Sequence, residues 1–479
     1  MTDLLLIAPP SPISSATCVR DKGAMGFSKA GYVFPPYDLA MLAANIRDIL
    51  SVKIIDANAK RLSFQEVGQC IRQENPKYVV FSNSTPTIDW DLNTAKITKQ
   101  INGDIITITF GPHVTTLGRS VIEVCPELDV VIKNEQESVL RELVESTDIN
   151  SISGTLVRLS DGTIKDNDFH TGLDDFGSLP FPAHDLLDLN LYSLPYAKGH
   201  PVSATMTARG CPGRCIFCVS SLISKRFSGR SVEHILSEFR FLTEELGVHE
   251  IKVWDDTFTF DRQRALDICQ SIVEERIRLS WTCNTRVDKI DSELLASMKE
   301  AGCHTVSLGV ESGNDGILRS IGKEITTSDI RKGFALAKAA NIERVGFFML
   351  GHPQDTRETM EQTINFAKEL RPDYASFNMV VPFPGTPLFR LASKEGWIKT
   401  TEWSKYESTS YPVYESPNVS RDEVYQTFKR AYRQYYFTPR YVLKRLGGIR
   451  SVSDLSNDIG SGIGLIKMLA RGDRSQKDA

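Results

Sequence analysis

The sequence predicts an α/β protein: an N-terminal Rossmann-like, doubly wound parallel sheet, then a partial (β/α)6 TIM barrel, then a helical C-terminal region. Three observations carry that expectation. Residues 1–146 alternate short β-branched runs with helical patterns; strand-like and helix-like segments alternate through 201–395; beyond 395 the strands stop and aromatic residues recur at helical spacing. The expected domains are 1–146, a linker with a β-hairpin at 147–200, the barrel at 201–395 and a helical domain at 396–479.

In the first domain the runs Leu4 to Ala8, Val52 to Asp56, Tyr78 to Ser82, Ile105 to Phe110 and Asp129 to Ile132 have the composition of buried strands. Between the first two, Leu39, Leu42, Ala43, Ile46 and Leu50 fall on one helical face, and Pro35 and Pro36 open that helix. Ligands of such sheets bind beyond the carboxyl ends of the strands. The residues there are Asp56, Ser82 to Thr85, Gly111 to His113 and Asn134 to Glu137, and small or hydroxylated side chains at several of these strand ends leave room for a flat, bulky ligand.

Thr155 to Leu159 and Thr163 to Lys165 flank Asp161-Gly162, a pair suited to the positive φ angles of a hairpin turn. The proline-interrupted run LPFPAHDLLDLNLY then serves as a connector, with no chemistry assigned to it.

The barrel opens with a strand at Ser203 to Ala208. Further strands follow at Glu250 to Trp254, Leu279 to Cys283, Thr305 to Leu308, Arg344 to Met349 and Tyr374 to Met379. Ser231 is placed to cap a helix whose Ile235, Phe239, Leu242 and Leu246 share a face; Asp291 to Ala301, Thr327 to Ala340 and Arg357 to Leu370 are also helical. The chemistry of a barrel belongs at the C-terminal ends of its strands.

Between the first strand and the first helix lies TARGCPGRCIFCVS, with Cys211, Cys215 and Cys218 at CxxxCxxC spacing. Gly210, Pro212 and Gly213 let the loop turn its sulfurs inward. Three thiolates are one short of a closed structural site, which leaves a position for a substrate or cofactor. The alternatives are a zinc knuckle completed by His200 or Cys283, and three unrelated thiols.

Composition narrows the classes. A net charge of -4 and a pI near 6.1 argue against a nucleic-acid binder held by phosphate contacts. The start lacks a basic n-region and no apolar run reaches membrane-spanning length. Nine cysteines, six of them scattered, fit a reducing cytoplasm better than a disulfide framework.

The cysteine loop, with Phe217 before the last cysteine, resembles that of the radical S-adenosylmethionine enzymes. The resemblance implies a 4Fe-4S cluster on Cys211, Cys215 and Cys218 whose free iron binds S-adenosylmethionine, and an electron that cleaves it to a 5′-deoxyadenosyl radical. It also implies cofactor contacts at Phe217, Asp255, Asp256, Arg286, Glu311, Ser312 and Gly351. Each has a structural alternative: Arg286 pairing with Asp288, Glu311 capping the next helix, the glycines as turns. A departure is WDD (Trp254 to Asp256) where the family has GGE.

The first domain resembles the cobalamin-binding domain preceding many such cores, through FPPYDLAMLAANI, GPH and an acidic ExE stretch. That resemblance implies cobalamin near Ser82, Ser84, Thr85, Gly111, His113, Glu135 and Glu137. The DxHxxG motif that supplies a histidine to cobalt elsewhere is absent, and the family's GEGE-like stretch is Asn134-Glu135-Gln136-Glu137. His113 stands as a loop hydrogen-bonder or a cofactor contact.

Together these imply a cobalamin-dependent C-methyltransferase for an unactivated carbon of a small-molecule or lipid-like substrate, with ferredoxin or flavodoxin as external electron donor. The alternatives are a radical oxidoreductase or cyclase without methyl transfer, and a non-catalytic metal-binding scaffold. From Arg421 onward, 12 basic residues face 6 acidic ones among Tyr425, Phe428, Tyr432, Tyr435, Tyr436 and Tyr441. With the apolar run Ile463 to Leu469, this tail is either an ordinary solvated helical cap or a contact with a membrane surface or an anionic substrate.

Overall fold

A computed structural model describes residues 2–13, 16–20, 26–28, 31–169, 175–194, 196–223, 226–446 and Gly462. The run Ile463 to Leu469 lies outside them. The chain divides into two compact units, one built from residues up to Ser28, Val33–Cys211 and Leu222–Lys252, the other mainly from Pro212–Ser221 and the chain from Val253 onward.

In the first unit, strands β1 (Leu4–Ala8), β2 (Val52–Asp56), β3 (Tyr78–Ser82), β4 (Ile106–Phe110) and β5 (Val130–Ile132) pair in parallel in the order β2-β1-β3-β4-β5. Register is fixed by apolar matches such as Leu6 with Ile54 and Val80. Alternate residues Leu4, Leu6, Val80 and Ile108 bury one face against Leu39, Leu42 and Ile46 of the helix Tyr37–Ile46. The order reverses beside β1, which makes the carboxyl edge there the natural ligand crevice.

The hairpin expected inside a linker belongs to this sheet. Strands β6 (Thr155–Arg158) and β7 (Ile164–Asp166) extend it antiparallel from β5. Leu156 and Val157 are buried, and that apolar area is what draws the hairpin onto the edge of β5.

Six further strands follow in chain order: β8 (Val202–Thr205), β9 (Glu250–Val253), β10 (Ser280–Thr285), β11 (Cys303–Glu311), β12 (Glu343–Leu350) and β13 (Tyr374–Met379). The run predicted from Ser203 to Ala208 is interrupted: Ala208–Arg209 leave β8 and pair antiparallel with Ser228–Gly229. Ser231 caps the helix Val232–Arg240, accepting from the His234 amide. In the second unit β10 to β13 pair in parallel and in chain order.

The C-terminal helix Arg421–Tyr436 is core, because Tyr425, Phe428, Tyr432 and Tyr435 are all buried. Tyr432 and Tyr435 donate to the carbonyls of Phe377 and Pro372 at 3.0 and 2.6 Å, tying the helix to β13 and to the chain just before it. Among the described residues no helix is long and apolar enough to cross a membrane.

Candidate active site

The second unit supplies most of the strand-end residues. β11 runs nine residues and slips register against β12 between Gly309 and Glu311, where Glu311 takes a left-handed φ of 64°. A bulge of this kind re-aims a side chain. The Glu311 carboxylate accepts from Lys323 Nζ at 2.8 Å, and both residues are buried. Gly309 makes room for the pair, since a Cβ there would lie 2.6 Å from Lys323 Nζ. Glu311 is therefore no helix cap; Asn314 does that work, accepting from the Ile317 amide.

The loop of the second and third cysteines is pinned to the segment carrying Lys323. The Ile216 amide donates to the Ile321 carbonyl at 3.0 Å, Cys215 Sγ lies 3.8 Å from the Gly322 carbonyl, and Leu388 donates back to Ile216 at 2.9 Å. Burial pushes the Cys215 thiol up to about 11, opposed by the positive charges of Lys323 and Arg286. Burial opposes the Lys323 charge, but Glu311 and Cys215 outweigh it and leave that amine raised. Lys323 carried no motif; its only sequence signal was a lysine twelve residues after a strand-end glutamate.

Arg286 makes two kinds of contact. It donates to Asp288 at 2.9 Å, as its structural alternative requires, and also to the Lys323 carbonyl at 3.1 Å. The carboxylates after β9 differ: Asp255 is buried, with its backbone carbonyl accepting from Asn284 Nδ2 at 3.1 Å, whereas Asp256 is exposed. Ser312 is buried against Thr363, hydroxyl to hydroxyl at 3.2 Å. Gly351 has φ of 86°, accepts from the Tyr414 hydroxyl, and has Val424 where a Cβ would point. Phe217 packs beside Met349 and Tyr414, its ring 5.7 Å from that of His352.

Among the described residues no three His, Cys, Asp or Glu side chains converge as the shell of a single metal ion. A 4Fe-4S cluster asks for something else, because each thiolate binds its own iron at a separate corner. Cys215 beside Lys323 suits an anionic cluster, and Cys283, fully buried in β10, is poorly placed to complete a zinc knuckle.

In the first unit the strand-end residues largely serve one another. Ser84 shares a 2.8 Å hydrogen bond with Thr87, which donates to Asp91, and Asp91 accepts from Arg20. Thr85 meets His113 Nδ1 at 3.2 Å, and burial holds that imidazole neutral, its pKa lowered to about 4. Gly111, at φ 139°, brings the chain over Asn83; a Cβ there would lie 2.6 Å from the Asn83 carbonyl. Ser82 is buried at the end of β3. Glu135, with φ of 45°, precedes the helix Gln136–Glu145 and is half-buried. Glu137 is fully buried and accepts from Arg209 at 2.6 Å.

Comparisons with known proteins identify the family. The Radical SAM superfamily matches residues 205–367 and the B12 binding domain matches residues 24–144. The chain belongs to the radical SAM superfamily, among members that carry a B12-binding domain, and is an enzyme. A relative from Pyrococcus horikoshii, the uncharacterized methyltransferase PH0819, is 34% identical over 92% of this chain and 94% of its own length. The anaerobic magnesium-protoporphyrin IX monomethyl ester cyclase of Cereibacter sphaeroides is 26% identical over 84% of this chain and 67% of its own. Among solved structures, the cobalamin-dependent S-adenosylmethionine radical enzyme OxsB superposes with a TM-score of 0.73 at 16% identity, over 97% of this chain and 72% of its own.

Proposed function

We propose that this enzyme is a cobalamin-dependent radical methyltransferase acting on an unactivated carbon of a small-molecule or lipid-like substrate. The observation that carries the reading is the cysteine loop pinned beside the buried Lys323–Glu311 pair. Cys211, Cys215 and Cys218 would hold the cluster. Bound together, the cluster, S-adenosylmethionine and cobalamin supply an electron, a carbon-centred radical and a transferable methyl group.

The chain's own residues bind, orient and exclude. Lys323 keeps a positive charge beside Cys215, which favours an anionic cluster there. Asp255 and Glu311 offer carboxylates at strand ends for the ammonium group of S-adenosylmethionine, with Glu311 already shared with Lys323. Arg286, Ser312, Phe217 and Gly351 would line the rest of that site. In the first unit Ser82, Ser84, Thr85, Gly111 and His113 would form the floor under cobalamin, their polar atoms mostly spent on one another, with Glu135 at its rim. The donor of the electron would be a ferredoxin or flavodoxin. Phe437 and Leu443, 52% and 69% exposed near Arg440, support a peripheral membrane contact of the C-terminal region.

The cyclase relative supports a second reading, radical oxidation or cyclisation without methyl transfer. Reduced, reconstituted enzyme given S-adenosylmethionine and cobalamin, with cell extract as the substrate source, separates the two by mass spectrometry. S-adenosylhomocysteine with a methylated product is the expected result. Deoxyadenosine without S-adenosylhomocysteine would favour the second reading, and intact S-adenosylmethionine would contradict both.

A further inference from the structure

The chain is acidic overall, with a net charge of -4, yet residues 424–453 carry seven Lys or Arg and no Asp or Glu. Of the nine exposed large apolar side chains among the described residues, three fall in that stretch: Phe437, Val442 and Leu443. Exposed cations stand beside them. Arg433 precedes Phe437 by four positions and Arg440 precedes Leu443 by three, spacings that bring side chains to one helical face.

The helix Pro439–Leu446 presents these side chains because its other face is tied down. Tyr441 donates to the Asp373 carbonyl at 3.2 Å, and its ring lies 5.6 and 4.8 Å from those of Tyr435 and Tyr436. One turn on, Arg445 donates to the Tyr374 hydroxyl at 3.1 Å and lies over that ring. With Tyr441 and Arg445 turned inward, Val442 and Leu443 meet solvent.

Charge and size say what such a face meets. A second copy would bring like charges together, because the stretch holds no carboxylate to pair with them. A standard protein partner covers roughly 800 Å² per side, far more than three part-exposed apolar side chains offer. A bilayer with anionic headgroups asks only for a few inserted apolar side chains flanked by cations.

The anchors also give a direction. Asp373 and Tyr374 stand at the amino end of β13, whereas Leu388, beyond its carboxyl end, donates to Ile216 of the cysteine loop. The strand between is six residues long, about 17 Å.

We propose that the face of Phe437, Arg440, Val442 and Leu443 docks on an anionic phospholipid surface and anchors the enzyme with its cysteine loop turned away from the bilayer, so that substrate enters from water. The inference deepens the reading above and rests on it for where the chemistry lies.

Cosedimentation of the full chain with vesicles tests it, one set of phosphatidylcholine alone and one with about a third phosphatidylglycerol. Wild-type protein is expected to bind the anionic set at least about ten-fold more tightly, and to lose that preference at high salt. Arg440→Ser is expected to weaken anionic binding about five-fold and Leu443→Ser about ten-fold, with thermal unfolding unchanged. Equal binding to both sets, binding to neither, or wild-type binding in both variants would overturn the docking. So would a concentration-dependent dimer that Leu443→Ser dissolves, which would give the face to a second copy. A soluble iron chelator is expected to strip iron from vesicle-bound and free enzyme at equal rates; slower loss on vesicles would overturn the orientation. Vesicle binding needs no cluster, so protein that binds anionic vesicles but takes up no iron would overturn the radical-enzyme reading and uphold the docking.

Discussion

Arg209 and Glu137, 72 positions apart, form a two-pronged ion pair with Nη2 to Oε1 at 2.6 Å and Nη1 to Oε2 at 3.2 Å. Both side chains are buried, and Arg209 lies 4.6 Å over the ring of Phe176, against which Arg230 also lies. Arg209 stands two residues before Cys211. The pair therefore fixes the strand that leads into the cysteine loop. Replacing Glu137 with Leu leaves a buried guanidinium uncompensated, and the expected loss is about 3 to 5 kcal/mol of unfolding free energy. Denaturant unfolding of cofactor-free protein checks this. Unchanged stability would mean that Glu137 is spent on a cofactor and not on the fold.

The Lys323–Glu311 pair makes a separable prediction. Lys323→Met removes the cation beside Cys215 and strands Glu311, so it should both destabilise the protein and make the cluster harder to reduce. Adding Glu311→Gln should recover much of the stability while leaving the potential low, because the cation stays absent. A redox titration next to an unfolding curve reads the two effects; a midpoint unmoved by Lys323→Met would remove Lys323 from the cluster's surroundings.

Gly322 tests how the loop is pinned. Its φ is 69° and a Cβ would sit 2.6 Å from the Arg214 carbonyl, next to Cys215. Gly396 has the same φ of 69° with nothing near its Cβ position. Alanine at either site pays the left-handed strain of about 1 kcal/mol, but only at Gly322 must the cysteine loop move. Iron uptake should fall in Gly322→Ala and stay at the wild-type level in Gly396→Ala.

Asp355 gives a pH dependence. Burial raises its carboxyl to about 6 from 3.8, against the hydrogen bonds it accepts from Thr359, His352 and Gly351. Between those values the unfolded chain has released a proton that the folded chain keeps. Stability from this group is therefore greatest below about pH 4, declines as pH rises towards about 6, and is level above. The swing is on the order of 3 kcal/mol, and Asp355→Asn should abolish it. Comparing wild-type and variant unfolding on either side of that window measures the difference.

Much of the fold was legible because it is local. β-branched runs mark β1 to β5, Ser231 marks a cap, and the cysteine spacing marks the loop. Arg286 with Asp288 was readable for the same reason, being two residues apart. Pairings across the chain leave no periodic trace: nothing around Glu137 in the sequence announces its ion pair with Arg209, 72 positions away. The cap offered as the structural alternative for Glu311 fails because nothing local announces a left-handed bulge that turns it towards Lys323. The hairpin β6–β7 was recognisable as a hairpin, but not as an edge of the first sheet, because docking depends on which strand stands open.

The most direct test of the central claim is the iron and cobalt content of protein purified anaerobically from cobalamin-supplied cells, with its visible spectrum. About four irons and about one cobalt per chain are predicted, with iron lost on replacing Cys211, Cys215 or Cys218 by Ala. Iron without cobalt, even after incubation with cobalamin, would contradict the cobalamin-dependent account and leave a radical enzyme of the second kind.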